Sequence, residues 1–134
     1  MRGILAYEVL ATDVAHLVAT CPRRYEVASG TLHCTMLFKC SEEAAHQFLV
    51  AHGLELGHPL IAVVTAVAHH DGLGIQALRL GGVPSANAHA HLTYSRREGV
   101  VPKLSNELLA SPDRVETPYH LVIGGTVRWT PFKG

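Results

Sequence analysis

Two short stretches of this 134-residue chain carry residues suited to proton transfer. In Leu32-His33-Cys34-Thr35-Met36 and in Ala90-His91-Leu92-Thr93-Tyr94, a histidine is followed two positions later by a threonine. An imidazole, with an ordinary pKa of about 6.5, is the side chain best able to take or give a proton near neutrality. Two of them facing one substrate can serve as base and acid, each transfer typically worth about 10²–10⁴ in rate. The threonine hydroxyls can donate to oxygens on which negative charge sits in the transition state. This is equipment for hydrolysing a phosphodiester: a proton leaves water, another reaches the departing oxygen, and no metal or other cofactor is required. Both stretches have apolar flanks and read as strands. Alternate side chains of a strand share a face, so His33 points with Thr35, and His89, His91 and Thr93 point together. One His-x-Thr on a strand is usually a solvated face. The second copy, on another strand, gives the pattern its weight.

Other signals carry less. His69-His70-Asp71 and His89-Ala90-His91 contain pairs of potential metal ligands, but a catalytic zinc site normally needs three well-placed protein ligands, and no metal site is expected. Cys34 should point away from His33 and reads as core. Arg96, Arg97 and Lys103, near the second motif, read as solvated charge in preference to phosphate ligands. Trp129 and Tyr119 read as packing residues, and Cys21 and Cys40 have no assignable role.

The motifs need elements to hold them. Gly3 to Leu10 reads as a first strand. Thr12-Asp13 can cap a short helix with Val14, Leu17 and Val18 on its apolar face. Arg23 to Val27 is loop or short strand, and Gly30 marks a turn. Thr31 to Lys39 is a buried strand. Ser41 caps a second helix, with Glu42 and Glu43 in its first turn, Ala45, Phe48 and Leu49 inward, and Gly53 as its stop. Pro59 to Ala68 has the apolar, Val-rich run of a central strand. His69 to Gly72 reads as a hairpin turn and Leu73 to Leu80 as the returning strand. Ala88 to Ser95 is the strand of the second motif. Leu104, Leu108 and Leu109 mark a short helix ended by Ser111-Pro112. Tyr119 to Trp129 is a final strand or hairpin, bent at Gly124-Gly125. The order is β-α-β-α-β-β-β-α-β without a linker, an α+β arrangement in one domain over residues 1–134.

Composition narrows the ligand. Hydrophobic residues are 48% and charged residues 16% of the chain, as in a globular protein with a buried core, and the net charge is zero. Binding a long duplex through many phosphates usually needs a basic excess, so a small nucleotide or an RNA 3′ end is the expected partner. No apolar run reaches membrane-spanning length. An acidic residue at Glu8 comes too early for a signal peptide, and the C-terminus has no prenylation box. The three cysteines lack zinc-type spacing and suit a reducing cytoplasm. A monomer is expected.

The motifs resemble those of the 2H phosphoesterase superfamily, and most closely those of the catalytic domain of the myelin-type 2′,3′-cyclic nucleotide 3′-phosphodiesterase family. Three stretches carry the likeness: Leu32-His33-Cys34-Thr35 followed by Phe38; Ala90-His91-Leu92-Thr93 followed by Gly99 to Asn106 and a Leu-rich helix; and the closing Gly125-Thr126-Val127-Arg128. The related domains of tRNA ligases share the second. The resemblance implies a bilobal fold, with two pseudo-symmetric antiparallel β-sheets around a central cleft and helices outside. It implies hydrolysis of nucleoside or RNA-terminal 2′,3′-cyclic phosphates to 2′-phosphates, with His91 as base, His33 as acid, and Thr35 and Thr93 holding the phosphate. Phe38 matches an aromatic that stacks on the base, although strand alternation would turn it from His33 unless the strand bulges. His89 stands where the family has an arginine, and strand period puts it on the cleft face. Ser105 matches a Ser/Thr near the start of the next helix, where it would also serve as an ordinary N-cap. Larger members carry a kinase-like domain and a lipidated tail, and neither is carried over. Within the superfamily, 2′,5′-linked oligonucleotides, cyclic dinucleotides and ADP-ribose cyclic phosphate are alternative substrates. A nucleotide- or RNA-binding module without turnover is the alternative from another class, and the presence of both proton-transfer groups speaks against it.

Overall fold

The computed structural model describes residues 1–28 and 31–133, so the turn expected at Gly30 lies outside the described residues. The elements follow the expected order: β1 (Gly3–Val9), α1 (Ala11–Thr20), β2 (His33–Cys40), α2 (Glu42–Ala51), β3 (Pro59–His70), β4 (Ile75–Gly81), β5 (His91–Arg96), α3 (Leu104–Ala110) and β6 (Val115–Pro131). β1 buries every second residue, with Leu5 and Tyr7 fully enclosed, which is the period-2 pattern of a strand facing a core on one side. α2 starts as read: the Ser41 hydroxyl accepts the Ala44 N–H at 3.0 Å, and Gly53 follows the helix at φ +70°.

α1 does not start as read. Leu10 occupies its N-cap without a side-chain cap. The Asp13 carboxylate instead accepts the backbone N–H of Gly124 at 2.8 Å, tying the helix to β6. Val14 and Leu17 are buried, whereas Val18 is largely exposed. β3 continues through His69 and His70, so the turn begins only at Asp71. β5 begins at His91, which leaves His89 ahead of the strand.

All six strands form one antiparallel sheet in the order β2-β1-β6-β3-β4-β5, where two sheets had been expected. The reason is β6. Its 17 residues run without a hairpin, pairing with β3 up to Thr126 and with β1 from Gly125 onward, so the two sides of the sheet share one strand. Gly125 serves close approach rather than a bend. A Cβ there would lie 2.4 Å from the Glu8 carbonyl oxygen and 2.6 Å from the Tyr7 ring. The Tyr7 hydroxyl donates to the Leu60 carbonyl at 2.9 Å, linking β1 to β3 over that glycine.

The sheet curls until its edges meet. Between them runs the segment before β5, whose Ala86 N–H donates to the Met36 carbonyl and whose Ser85 hydroxyl donates to the Thr35 carbonyl. One core, including Leu5, Leu17, Met36, Leu49, Val64, Leu92 and Ile123, fills the inside under α1 and α2. A smaller one forms where α3 sets Leu108 and Leu109 against Ala68, Ile75 and Ala77. α1 and α2 contribute Val14, Leu17, Ala45 and Leu49 to the main core, and no described helix is long and apolar enough to cross a membrane.

Candidate active site

The two motifs occupy the two edge strands, and curling of the sheet brings them to one cavity of about 370 Å³. His33, Thr35, His91 and Thr93 all line it. The two motif strands, β2 and β5, come into contact across the seam. Cys34 itself is buried, and burial pushes its thiol up to about 11, which leaves almost no thiolate near neutrality. That agrees with its reading as core.

His91 is half-buried, and its Nδ1 lies 2.8 Å from the His89 carbonyl oxygen. A carbonyl can only accept, so Nδ1 carries a proton. In the neutral ring Nε2 is then the basic nitrogen. Burial is the main cause lowering the His91 pKa; the His89 bond works against it, and the charges of His89, Arg79 and His33 add to the lowering. A neutral imidazole of this tautomer can accept a proton. The Thr93 hydroxyl lies 2.8 Å from the Ser105 hydroxyl and 3.5 Å from the Pro102 carbonyl oxygen. Ser105 is completely buried, and Lys103 occupies the N-cap position of α3, so Ser105 supports Thr93 and does not cap the helix.

Phe38 reaches the cavity because β2 bulges. Leu5 of β1 is opposite Leu37, and the next residue, Ala6, is opposite Thr35, so Met36 is supernumerary. A second irregularity follows, with Lys39 at φ +54°. Phe38 is 59% exposed, with its ring against Phe132 at 5.7 Å between centroids.

His89 departs from the expectation. It precedes β5 and is not among the residues lining the cavity. Arg79 Nη1 lies 2.9 Å from its Nδ1, and since a guanidinium only donates, that nitrogen accepts. Arg79 also donates to Glu116 at 2.9 Å and to the Leu109 carbonyl at 3.1 Å. Arg114 binds the other oxygen of Glu116 at 2.7 Å. The guanidinium of Arg79, followed by that of Arg114, holds the Glu116 carboxyl below its usual range. The role left to His89 is that of its backbone, which orients His91.

The His69-His70-Asp71 run is engaged elsewhere. Asp71 takes a bidentate contact from Arg24 at 2.9 Å and a bond from the Tyr25 hydroxyl at 2.7 Å, and His70 Nδ1 accepts the Leu73 N–H. Among the described residues no three His, Cys, Asp or Glu side chains converge as metal ligands.

Several lining residues carried no signal in the sequence. Val27, Ala28 and Thr31 come from the segment after α1. That segment is pinned by the buried Gln76 and Ser95. Gln76 Oε1 accepts from Arg24 N–H and Ser95 Oγ, and Ser95 Oγ accepts from Tyr25 N–H. Asn87, Lys103, Asn106, Arg96 and Ile4 complete much of the wall. Arg79 had a signal: it is a lone charge within the apolar run Ala77-Leu78-Arg79-Leu80. Among the described residues no aspartate or glutamate lines the cavity, although the chain has 11 acidic residues. Comparison of the chain with protein-family models, with curated proteins and with solved structures gave no match.

Proposed function

We propose that the protein hydrolyses nucleoside or RNA-terminal 2′,3′-cyclic phosphates to 2′-phosphates without a metal ion. The observation that carries this reading is the convergence of both His-x-Thr motifs, from opposite sheet edges, on one cavity whose described lining holds no carboxylate side chain. His91 Nε2 takes a proton from water, the water oxygen bonds to phosphorus, the P–O3′ bond breaks, and His33 protonates the departing O3′. The Thr35 and Thr93 hydroxyls donate to the non-bridging oxygens. The Thr93 and Ser105 hydroxyls lie 2.8 Å apart, and with Ser105 as the donor the Thr93 proton is left for the phosphate. Phe38 offers its ring to the base.

In this reading the molecule has two pseudo-symmetric lobes, as in the 2H phosphoesterases. β2, β1 and the C-terminal end of β6 form one, β5, β4, β3 and the rest of β6 the other, and each lobe presents its motif on its edge strand. It acts as a monomer in a reducing cytoplasm, consistent with three buried, unpaired cysteines. The deciding experiment is turnover of adenosine 2′,3′-cyclic phosphate beside a 2′,5′-dinucleotide and a cyclic dinucleotide, with products identified, before and after exhaustive chelation. Release of adenosine 2′-phosphate in the presence of chelator is expected. Release of the 3′-phosphate, or activity restored only by an added metal, would overturn the mechanism.

A further inference from the structure

The cavity, about 370 Å³ in volume, has room for more than a cyclic phosphate. The segment approaching His91 runs past the residues that follow His33, since Ser85 bonds Thr35 and Ala86 bonds Met36. β2 and β5 therefore leave the histidine pair in opposite directions. Phe38 is five residues beyond His33 and Arg96 five beyond His91, roughly 15 Å along an extended strand in each case. Phe38, Ile4 and Asn87 make one end of the cavity, which carries no charge. On the other side of the pair lie Lys103 and Asn106, beside Thr93 through the Pro102 and Ser105 contacts, and then Arg96.

The charges do not balance with a cyclic phosphate alone. A cyclic phosphodiester carries one negative charge, and a pair with one protonated ring matches it. Lys103 and Arg96 are in excess, with no carboxylate side chain among the described residues lining the cavity. Arg96 spends one donor on the Val100 carbonyl at 2.8 Å, and Lys103 has no ion pair among the described residues. Cations unmatched in a concave site attract a further anion.

The covalent order of a nucleotide says where that anion sits. The 2′ and 3′ oxygens lie between C1′, which bears the base, and C4′, which leads to the 5′ oxygen. A ligand held by its cyclic phosphate at the histidines extends its base one way and its 5′ oxygen the other. With the base toward Phe38, the 5′ oxygen points to Lys103, Asn106 and Arg96.

The geometry points to a second anion subsite, formed by Lys103, Asn106 and Arg96, for a phosphate on the 5′ oxygen of the nucleotide whose 2′,3′-cyclic phosphate is cleaved. This rests on the reading of the paired histidines given above. The favoured substrates are 5′-phosphorylated: either the last nucleotide of an RNA strand, whose 5′ oxygen is esterified to the preceding residue, or a mononucleotide with a 5′-phosphate. Nucleoside cyclic phosphates without one are the poorer substrates.

Binding and turnover test it together. Affinities for adenosine 2′-phosphate and adenosine 2′,5′-bisphosphate are compared by calorimetry. Rates are compared for adenosine 2′,3′-cyclic phosphate, its 5′-phosphorylated form, and a diadenosine ending in the cyclic phosphate. The 5′-phosphorylated ligands should be preferred at least about tenfold, as expected for a charge-assisted contact. The preference should shrink toward unity in Lys103→Gln and in raised salt. Preference for the diadenosine would identify RNA ends, and preference confined to the monoester would identify mononucleotides. Equal affinities in the wild type, or a preference that survives both Lys103→Gln and Arg96→Gln, would overturn the subsite. A binding preference without turnover of any cyclic phosphate would leave the subsite standing and remove the hydrolytic reading. Turnover without preference would do the reverse.

Discussion

On β2 the His33 ring is exposed and, among the described residues, takes no hydrogen bond. On β5 the His91 ring is half-buried and donates from Nδ1 to the His89 carbonyl. The threonines differ in the same way: Thr93 is backed by the buried Ser105, while the Thr35 hydroxyl has no hydrogen bond among the described residues. Behind the second motif stands a layer of Arg79, Glu116 and Arg114. The first has backbone pairing with β1, the Ser85 contact to Thr35 and the Ala86 contact to Met36. Two copies of one three-residue pattern thus receive different tautomeric control. The better-held copy is suited to the base, whose lone pair must be directed, and the freer one to the acid, which has only to meet the leaving oxygen.

The largest effects should come from the rings themselves. His91→Ala and His33→Ala should each lower kcat/KM by at least about 10² with the fold intact by circular dichroism. The comparison is sharper in the pH profile. The wild-type bell should lose its acidic limb in His91→Ala and its alkaline limb in His33→Ala. The opposite pattern would exchange the roles and break the link between support and basicity. A profile flat from about pH 5 to 9, with chemistry rate-limiting, would end the acid–base proposal, since it spans the ordinary imidazole value of about 6.5.

Smaller effects should appear on the supported side alone. Arg79→Met removes the guanidinium that holds His89 and should lower kcat roughly tenfold with little change in KM, with Arg79→Lys recovering part. The broken contacts to Glu116 and His89 should also cost about 1–3 kcal/mol in urea unfolding. A fall in KM and kcat together, unrelieved by lysine, would make Arg79 structural only. Ser105→Ala should reduce kcat by about 2–10-fold, the worth of one hydrogen bond. Ser85→Ala on the other side should change it less. Equal losses for the two serines would remove the asymmetry.

The smallest expected effect is on stability against pH. The His91 pKa is lowered in the folded state, so the unfolded chain binds its proton first as pH falls. Its contribution to stability is complete above the ordinary value of about 6.5 and is lost as pH falls through the lower folded value. The difference in unfolding free energy between wild type and His91→Gln should therefore change below pH 6.5 and be level above it. A change confined to pH above 7 would contradict a neutral, buried His91.

Much of the site was legible from local pattern. A strand's period of two states that His33 and Thr35 share a face, and likewise His91 and Thr93, whatever the strands later pack against. Ser41, Gly53 and Ser111-Pro112 marked helix ends because capping is chemistry within a few residues. The alternation that correctly grouped each motif also misplaced His89, because the strand starts at His91, three residues later than the expected Ala88. A strand boundary depends on where a partner strand ends, which no local pattern contains. Gly124-Gly125 read as a bend for a similar reason: two glycines announce freedom, whereas here Gly125 admits the Tyr7 ring from a distant part of the chain. Local pattern was enough for the residue types, the pairing of each His with its Thr, and the order of the elements. It took long-range packing to bring the edges of one sheet together and set His33 and His91 on one cavity, to place Ser105 behind Thr93, and to turn Lys103 and Arg96 into a cavity whose described lining holds no carboxylate side chain. Those outcomes depend on the curl of a sheet held by a shared strand, a property of long-range pairing that short-range preferences do not encode.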